Sequence, residues 1–504
     1  MSRSRRATQA FALSLVVTAS GIVVGLLVTP LLLRHLGDAR VGAYRVAAEW
    51  VAYLMLLDLG MIGALQVAFA RSLGSGDRAG VAASARAGFR AGWIMAGLSA
   101  AFGLVLVAAA PEMLRDMPPE LGDELRVGLL VSLVAMFMCP LIAFRPLADA
   151  GQRGFVVQLA LLVQVWLTGG IMIVCAVSGL GLAGQFLAVV IANAVGTLIL
   201  VRDGLRRHPE ILTHTVANAA LPVAFSGAMF AFSLLSRIGL HSDAIIVGMT
   251  LGPTAVVAFA VTQRLLLLAD AQVLALGAAA WPALAELHHQ GRSEAFNHRL
   301  TQLTRWTGIL VFALIVPLAA ATRPFVVLWV GSERHGGDLL VLATAMYMWI
   351  HTIVAVWGWP LITTGGVRDV LPIYMIGIPL NVGVSIVGCY WLGVAGPAIG
   401  SAVSVALVWL PWLPMLLRRR FRTPLRPLAS AVVGPVLLGM PLAAGLFLLS
   451  IAYPLEELDL PAWERWLLLA ATCGAATLGY LAVAWRLVLP RDDRAELRAR
   501  LLGR

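Results

Sequence analysis

The chain contains no lysine: all 37 of its basic side chains are arginine. Any anion site it builds therefore uses planar guanidinium groups, which pair bidentately and keep their charge at every working pH. Charge of either sign is scarce, at 12% of residues, about half the share in ordinary globular domains. Cysteine is scarcer still. Cys139, Cys175, Cys389 and Cys473 stand singly in apolar segments, which excludes both a disulfide framework and the paired spacing of a zinc site. No stretch is long and polar enough to form a domain outside a membrane. The formal net charge of +11 thus has no folded basic surface through which to bind nucleic acid, and no nucleic-acid partner is expected.

What is present is apolar. Hydrophobic residues make up 60% of the 504, and the mean hydropathy is +0.88. Apolar runs of about 18 residues or more recur along the chain, and a bilayer leaves such runs only the helix. The expected fold is an all-α polytopic membrane protein of about fourteen spans. The first half carries Ala7–Leu33, Val41–Ala70, Ala91–Ala110, Val127–Ile142, Gly154–Val177 and Leu182–Val201. The second carries Ala220–Met249, Thr254–Leu284, Trp306–Ala321, Leu339–Thr363, Val370–Leu392 and Ala395–Leu417, with two more at Leu428–Ala452 and Trp466–Trp485. The implied domains are 1–212, 213–426 and 427–504. The first apolar run exceeds the roughly 7–15 residues of a secretory signal, so it reads as a retained span. Ser14, Thr18, Gly21 and Gly25 on one of its faces predict close approach of another helix.

Loop charge supports this layout. If odd spans exit and even spans return, the inner tails and links hold 27 of the 37 arginines, the outer links 7 and the spans 3. The positive-inside rule then puts both termini in the cytoplasm. The halves also repeat weakly. Leu36-Gly37 with Tyr44 matches Leu251-Gly252 with Phe259 (251 − 36 = 215 and 259 − 44 = 215), and the same offset carries Gly76 onto Gly291. Pro111 and Pro324 match at 213. With an even number of spans per half the repeats are parallel, the arrangement of transporters that bind substrate near the midplane and rock between two access states.

Charges inside spans mark the candidate site, since Arg or Asp at the centre of a spanning helix costs roughly 2.5–3.5 kcal/mol on insertion scales. Ser226, Ser233, Arg237 and His241 fall within about 80° of one another on the seventh span, forming one polar stripe. Arg237 is open to two readings, a watery cavity or a side chain that snorkels to one membrane face. Asp243 points elsewhere and is expected to pair with a neighbouring helix, Arg264 on the eighth span being the candidate. Gln263 and Asp270, seven apart, share a face of that eighth span. On the second span Arg45 and Glu49 are spaced i, i+4, and Asp58 projects from another face. Each pair is equally open to being a neutral internal lock. Tyr347, Trp349, Trp357 and Trp359 around His351 read as packing or an interfacial belt, with a sugar platform as the alternative.

The stretch LRHLGDARVGAYRVAAEWVAYLMLLDLGMIGALQVAFARSLGSGDR resembles the start of Wzx-type polysaccharide flippases. Leu36-Gly37, Gly42 with Tyr44, and Asp58 with Gly60 carry the likeness, and DAIIVGMTLG, with Asp243, resembles the start of the second half. The resemblance implies the fold of the multidrug, oligosaccharidyl-lipid and polysaccharide exporters, two six-helix lobes plus two C-terminal helices, in the bacterial inner membrane. It implies a flippase, not an enzyme, carrying undecaprenyl-pyrophosphate-linked oligosaccharide outward, with polysaccharide polymerase or ligase machinery as partners. Arg237, His241, Arg264 and Arg45 would form the cationic cavity. Asp243, Asp270, Glu49 and Asp58 would be charge partners or coupling groups, with proton or sodium as the coupling ion and no other cofactor. Lipid II flippases of this superfamily carry arginines on the first span and drug exporters often carry a carboxylate there; Ala7–Leu33 has neither. A cation-coupled drug antiporter is the alternative reading. An integral-membrane glycosyltransferase or polymerase ranks lower, because the outer links are short.

Overall fold

In the computed structural model of the chain every long element is a helix, as backbone groups at bilayer depth require. The structure describes residues 3–54, 61–213, 227–455, 458–491 and 493–495, and among these there is no strand. The first half comprises α1 (Arg3–Leu36), α2 (Asp38–Leu54), α3 (Met61–Ser75), α4 (Arg78–Met113), α5 (Pro119–Leu133), α6 (Phe144–Ala150), α7 (Gly154–Val177), α8 (Gly181–Arg207) and the short α9 (Glu210–Thr213). The second comprises α10 (Gly227–Leu251), α11 (Pro253–Thr262), α12 (Arg264–His289), α13 (Ser293–Val330), α14 (Asp338–Thr363), α15 (Val367–Leu392), α16 (Gly396–Ser404), α17 (Leu410–Phe421), α18 (Leu425–Ala452) and α19 (Ala462–Leu487). A 3-10 stretch, Val134–Ala143, joins α5 to α6, and a π turn, Val405–Trp409, joins α16 to α17.

Among the described residues, twelve helical stretches are long and apolar enough to cross a membrane. One of them, 367–421, reverses at the left-handed Gly393 and so crosses twice. With α2 and α3 as a further crossing, the fourteen expected spans are accounted for.

The chain divides into two compact units, Met1–Arg237 with Leu251–Val256, and Ile238–Thr250 with Val257–Arg504. The division falls inside α10, whereas the sequence put the boundary at 212. In the first unit Leu65, Phe69, Val81, Ala85, Phe144 and Ile211 form a buried core. In the second, α18 and α19 close on α13 through Ile309, Phe312, Ala313, Tyr480 and Ala484. Two hydrogen bonds fix them there: the Tyr480 hydroxyl donates to the Pro435 carbonyl (3.0 Å) and Thr477 to that of Ala313 (2.8 Å).

The weak repeat is structural. Gly37 and Gly252, 215 residues apart, both turn the chain with positive φ (78° and 90°) between a helix ending in Leu and the next helix. Gly76 and Gly291, at the same offset, both have φ of 70° ahead of the long α4 and α13. Starts of α8 and α16, Gly181 and Gly396, also lie 215 apart (396 − 181 = 215). Within each unit the first helix meets the fifth through a glycine, but on opposite sides of the seam. Val24 of α1 packs into Gly169 of α7, whereas at the position 215 residues on, Gly239 of α10 receives Ile378 of α15. The small-residue face expected on the first span is therefore not the contact; a Cβ at Gly21 would meet nothing within 4 Å.

Link chemistry follows the odd-and-even layout within each unit. In the first unit, Arg40 after α1 forks onto Glu124 of α5 (2.6–3.1 Å), with Gly181 against the same carboxylate. That fork holds the Arg40 guanidinium above its ordinary pKa, the hydrogen bond outweighing burial. Arg153, Asp203, Arg207, His208 and Glu210 gather among the other set of links. In the second unit His288, Phe296 and Phe421 stack together, and Arg420 reaches Asp369 (2.8 Å). Asp493 of the C-terminal segment, 3% exposed, accepts from Arg305 (2.9 Å) and Gln302 (3.0 Å).

Several spans run longer than the sequence placed them. α4 has 36 residues and α13 has 38, about 55 Å of helix against a hydrocarbon core of about 30 Å. Their polar ends carry charge, which ends an apolar window without ending a helix. For the same reason Glu120, Asp123 and Glu124 lie on α5 rather than in a loop, and the link before it is only residues 114–118.

Candidate functional site

The candidate intramembrane charges lie on α2, α10 and α12. Arg237 is exposed on α10 and makes no ion pair among the described residues; His241, one turn on, is half-buried. Ser233 of the same stripe is exposed, and Ser226 lies outside the described residues. Arg45 and Glu49 are half-buried on consecutive turns of α2, where the neighbouring Tyr44 packs on Phe186 (centroids 5.1 Å apart). Asp58 and Gly60 lie outside the described residues.

Arg264 opens α12 and is half-buried, and its Nε is buried with no hydrogen-bond partner among the described residues. The expected pair with Asp243 is not formed. Asp243 instead lies within electrostatic range of Tyr347 on α14 and Cys389 on α15.

Gln263 and Asp270 do share a face, and it faces α14. Gln263 donates to Thr344 (3.0 Å), and Thr352, two turns further along α14, donates to Asp270 Oδ1 (2.7 Å). Asp270 is 8% exposed. His351 brings Nδ1 to 3.7 Å from the other carboxylate oxygen, Oδ2, and Tyr347 stacks on the imidazole (5.2 Å, 28°). Val311, Ile315, Leu266 and Met348 pack around this seam, so Asp270, His351 and Tyr347 sit in apolar surroundings. Composition drew attention to the aromatic rings near His351 and missed the threonines that hold the carboxylate. The signal was present as Thr344 and Thr352, eight apart and in register with Gln263 and Asp270.

The four rings near His351 do not make one platform. Trp357 is buried and donates to Thr304 (3.0 Å), Trp349 packs on Phe312, and Trp359 stacks parallel on Trp281 (5.7 Å, 5°). Each has its own partner, as packing residues do. Among the described residues no group of three or more His, Cys, Asp or Glu is placed to hold a metal ion.

No protein-family model matches the chain, and no curated protein matches it. Solved structures do. The lipid II flippase MurJ in an inward closed conformation superposes with a TM-score of 0.71 at 12% identity, over 94% of this chain and 99% of that one. An inward-facing multidrug resistance MATE family transporter of the MOP superfamily gives 0.60 at 17% identity, over 80% and 96%. The Vibrio cholerae MATE transporter VcmN in its bent form gives 0.56 at 18%, over 83% and 98%. At these identities the likeness is one of fold, and the fold of this chain is the one that the flippase and the multidrug transporters share.

Proposed function

We propose that the chain is an alternating-access flippase that moves an undecaprenyl-pyrophosphate-linked oligosaccharide from the inner to the outer leaflet of the bacterial cytoplasmic membrane, both termini being cytoplasmic. The observation that carries this reading is Arg264, a guanidinium within a spanning helix that has no ion-pair partner among the described residues. Such a charge is costly at bilayer depth and is kept where it meets a ligand of opposite sign. Arg237, exposed on α10, Arg45, half-buried on α2, and His241, half-buried on α10, are the further groups assigned to the pyrophosphate. Asp58, Glu49 and Asp243 are assigned to charge balance or coupling. The likeness to the flippase also covers more of this chain than the multidrug transporters do, 94% against 80–83%. An inside-negative potential favours this direction, by about 4–5 kcal/mol per 100 mV for a doubly charged headgroup. Polymerase or ligase machinery would receive the product outside.

Deletion followed by lipid extraction tests the reading: lipid-linked glycan accumulates on the inner leaflet. Complementation by Arg237→Ala combined with Arg264→Ala at normal protein level would overturn the site assignment. The second reading, a cation-coupled drug antiporter, draws on the buried Asp270. It requires the arginine variants to transport normally while Asp270→Asn does not.

A further inference from the structure

Asp270 has no role in binding a pyrophosphate, since its charge has the wrong sign. Yet it is among the most enclosed carboxylates of the chain, and its surroundings are specific. One oxygen lies 2.7 Å from the Thr352 hydroxyl, which shares its single proton with the Met348 carbonyl (2.6 Å). The other faces His351 Nδ1 at 3.7 Å, a nitrogen that is buried and has no hydrogen-bond partner among the described residues. Tyr347 covers the imidazole from one side. Every helix packed here can be read for charge. α12 supplies Asp270; α14 supplies His351 and Tyr347; α10 supplies Asp243, in electrostatic range of Tyr347. α15 supplies Tyr374, also in range of Tyr347, and Cys389 near Asp243. α13 supplies Val311 and Ile315. Among the described residues Asp270 makes no ion pair with an arginine.

A carboxylate in apolar surroundings without a cation is strongly disfavoured, and the available cation here is a protonated imidazole. With one proton the pair is net neutral, either as carboxylate against imidazolium or as carboxylic acid against imidazole. Without it the pair is net −1 and needs water. A hard cation such as sodium is a poor substitute, because it takes oxygen ligands, and the group facing the carboxylate is a ring nitrogen.

We propose that Asp270 and His351 form a site in the second unit that binds and releases a single proton. Loading adds a proton from water to Nδ1 or Oδ2; unloading breaks that N–H or O–H bond and returns the proton to water, with no change of oxidation state. Because the unloaded pair carries net charge, it persists only while water reaches the seam, which ties proton release to one access state. Under the flippase reading this is the coupling proton, and that role alone rests on the reading; the proton site does not.

The test is a pH titration of the full-length protein in lipid nanodiscs, followed by infrared difference spectroscopy of carboxyl and imidazole bands. The wild type shows a step in which the two groups change together. That step is lost in Asp270→Asn and in His351→Gln and kept in His298→Gln, which alters an exposed histidine. Thr352→Val removes the hydroxyl beside the carboxylate, so the carboxyl band of the step changes frequency; this variant keeps the test decisive where Asp270→Asn does not fold. A step unchanged in both Asp270→Asn and His351→Gln overturns the proposal, as does one-for-one displacement of the proton by sodium at constant pH. Lipid extraction separates the two readings. Loss of the step together with normal inner-leaflet glycan in the deletion strain removes the flippase reading and leaves the proton site standing.

Discussion

Arg264 separates function from stability at a single position. A half-buried guanidinium with an unsatisfied Nε stabilises nothing in the empty protein, so Arg264→Leu is expected to melt at or above the wild-type temperature. The same variant abolishes complementation; a fall of several degrees in melting temperature would instead make Arg264 a structural residue. Gly42 makes the opposite case. A Cβ there would collide with the Pro253 carbonyl oxygen, a backbone atom of the same unit. Gly42→Ala is therefore expected to cost about 1–3 kcal/mol or more through overpacking. Gly21→Ala, with open space around it, is expected to be neutral or to stabilise by up to about 1 kcal/mol through reduced backbone freedom. Thermal unfolding of the purified variants checks both. Glu210 carries a pH dependence. Burial alone would raise its carboxyl, but its backbone N–H, His208 and Arg78 outweigh burial and hold it below the usual carboxylate range. A lowered carboxyl contributes stability above its unfolded value and loses it as pH falls through the folded one. Glu210→Gln is accordingly expected to flatten the acid side of the stability profile and leave the neutral side lower.

At the scale of elements, α13 is the pivot of the second unit. Its polar first turns are held from two sides. Asn297 and Thr423 bond through their side chains (2.7 Å), and Asp493 accepts from Arg305 and Gln302. Removing the Asp493 carboxylate leaves Arg305, 17% exposed, without its partner, and losing one member of a buried ion pair costs about 3 kcal/mol or more. Asp493→Ala is thus expected to lower the melting temperature while Asp493→Glu retains most of it. The 3-10 stretch between α5 and α6 has a comparable cause. Gly92 of α4 lets the backbone of Cys139 and Pro140 approach to within 2.5–2.7 Å of where a Cβ would be, and Pro140 has no N–H to give a regular helix. Neither feature was legible in the sequence, because an apolar window reports where a helix enters lipid and not where it bends or stops.

At the scale of the molecule, the odd-and-even layout makes a direct prediction. Single cysteines placed at Ser75 and Ser293 share the cytoplasmic side, and at Asp116 and Arg334 the outer side. Membrane-impermeant thiol reagents added to intact cells are expected to label the second pair and spare the first. Cys139, Cys175 and Cys389 are buried and give little background. Labelling of Ser75 and Asp116 from the same side would break the layout. The repeat belongs to this scale as well. Among its few sequence identities, the glycines at 37, 76, 252 and 291 all have positive φ. They survive in the pattern because only glycine adopts that conformation at no steric cost, whereas the apolar faces between them tolerate any residue of similar volume.

Sequence by itself determined the solvent of this protein, its helical class and the recurrence of its spans, because hydropathy answers to the bilayer and needs no partner. It also determined which residues are anomalous: Arg264, Asp243, Asp270 and His351 stand out from apolar runs whatever surrounds them. Only the tertiary structure decided their pairing. Helical spacing fixes which residues share a face, but which neighbouring helix that face meets depends on rotation and packing. Those set Asp270 against Thr352 and His351, brought Asp243 within electrostatic range of Tyr347, and gave Arg264 no ion pair among the described residues.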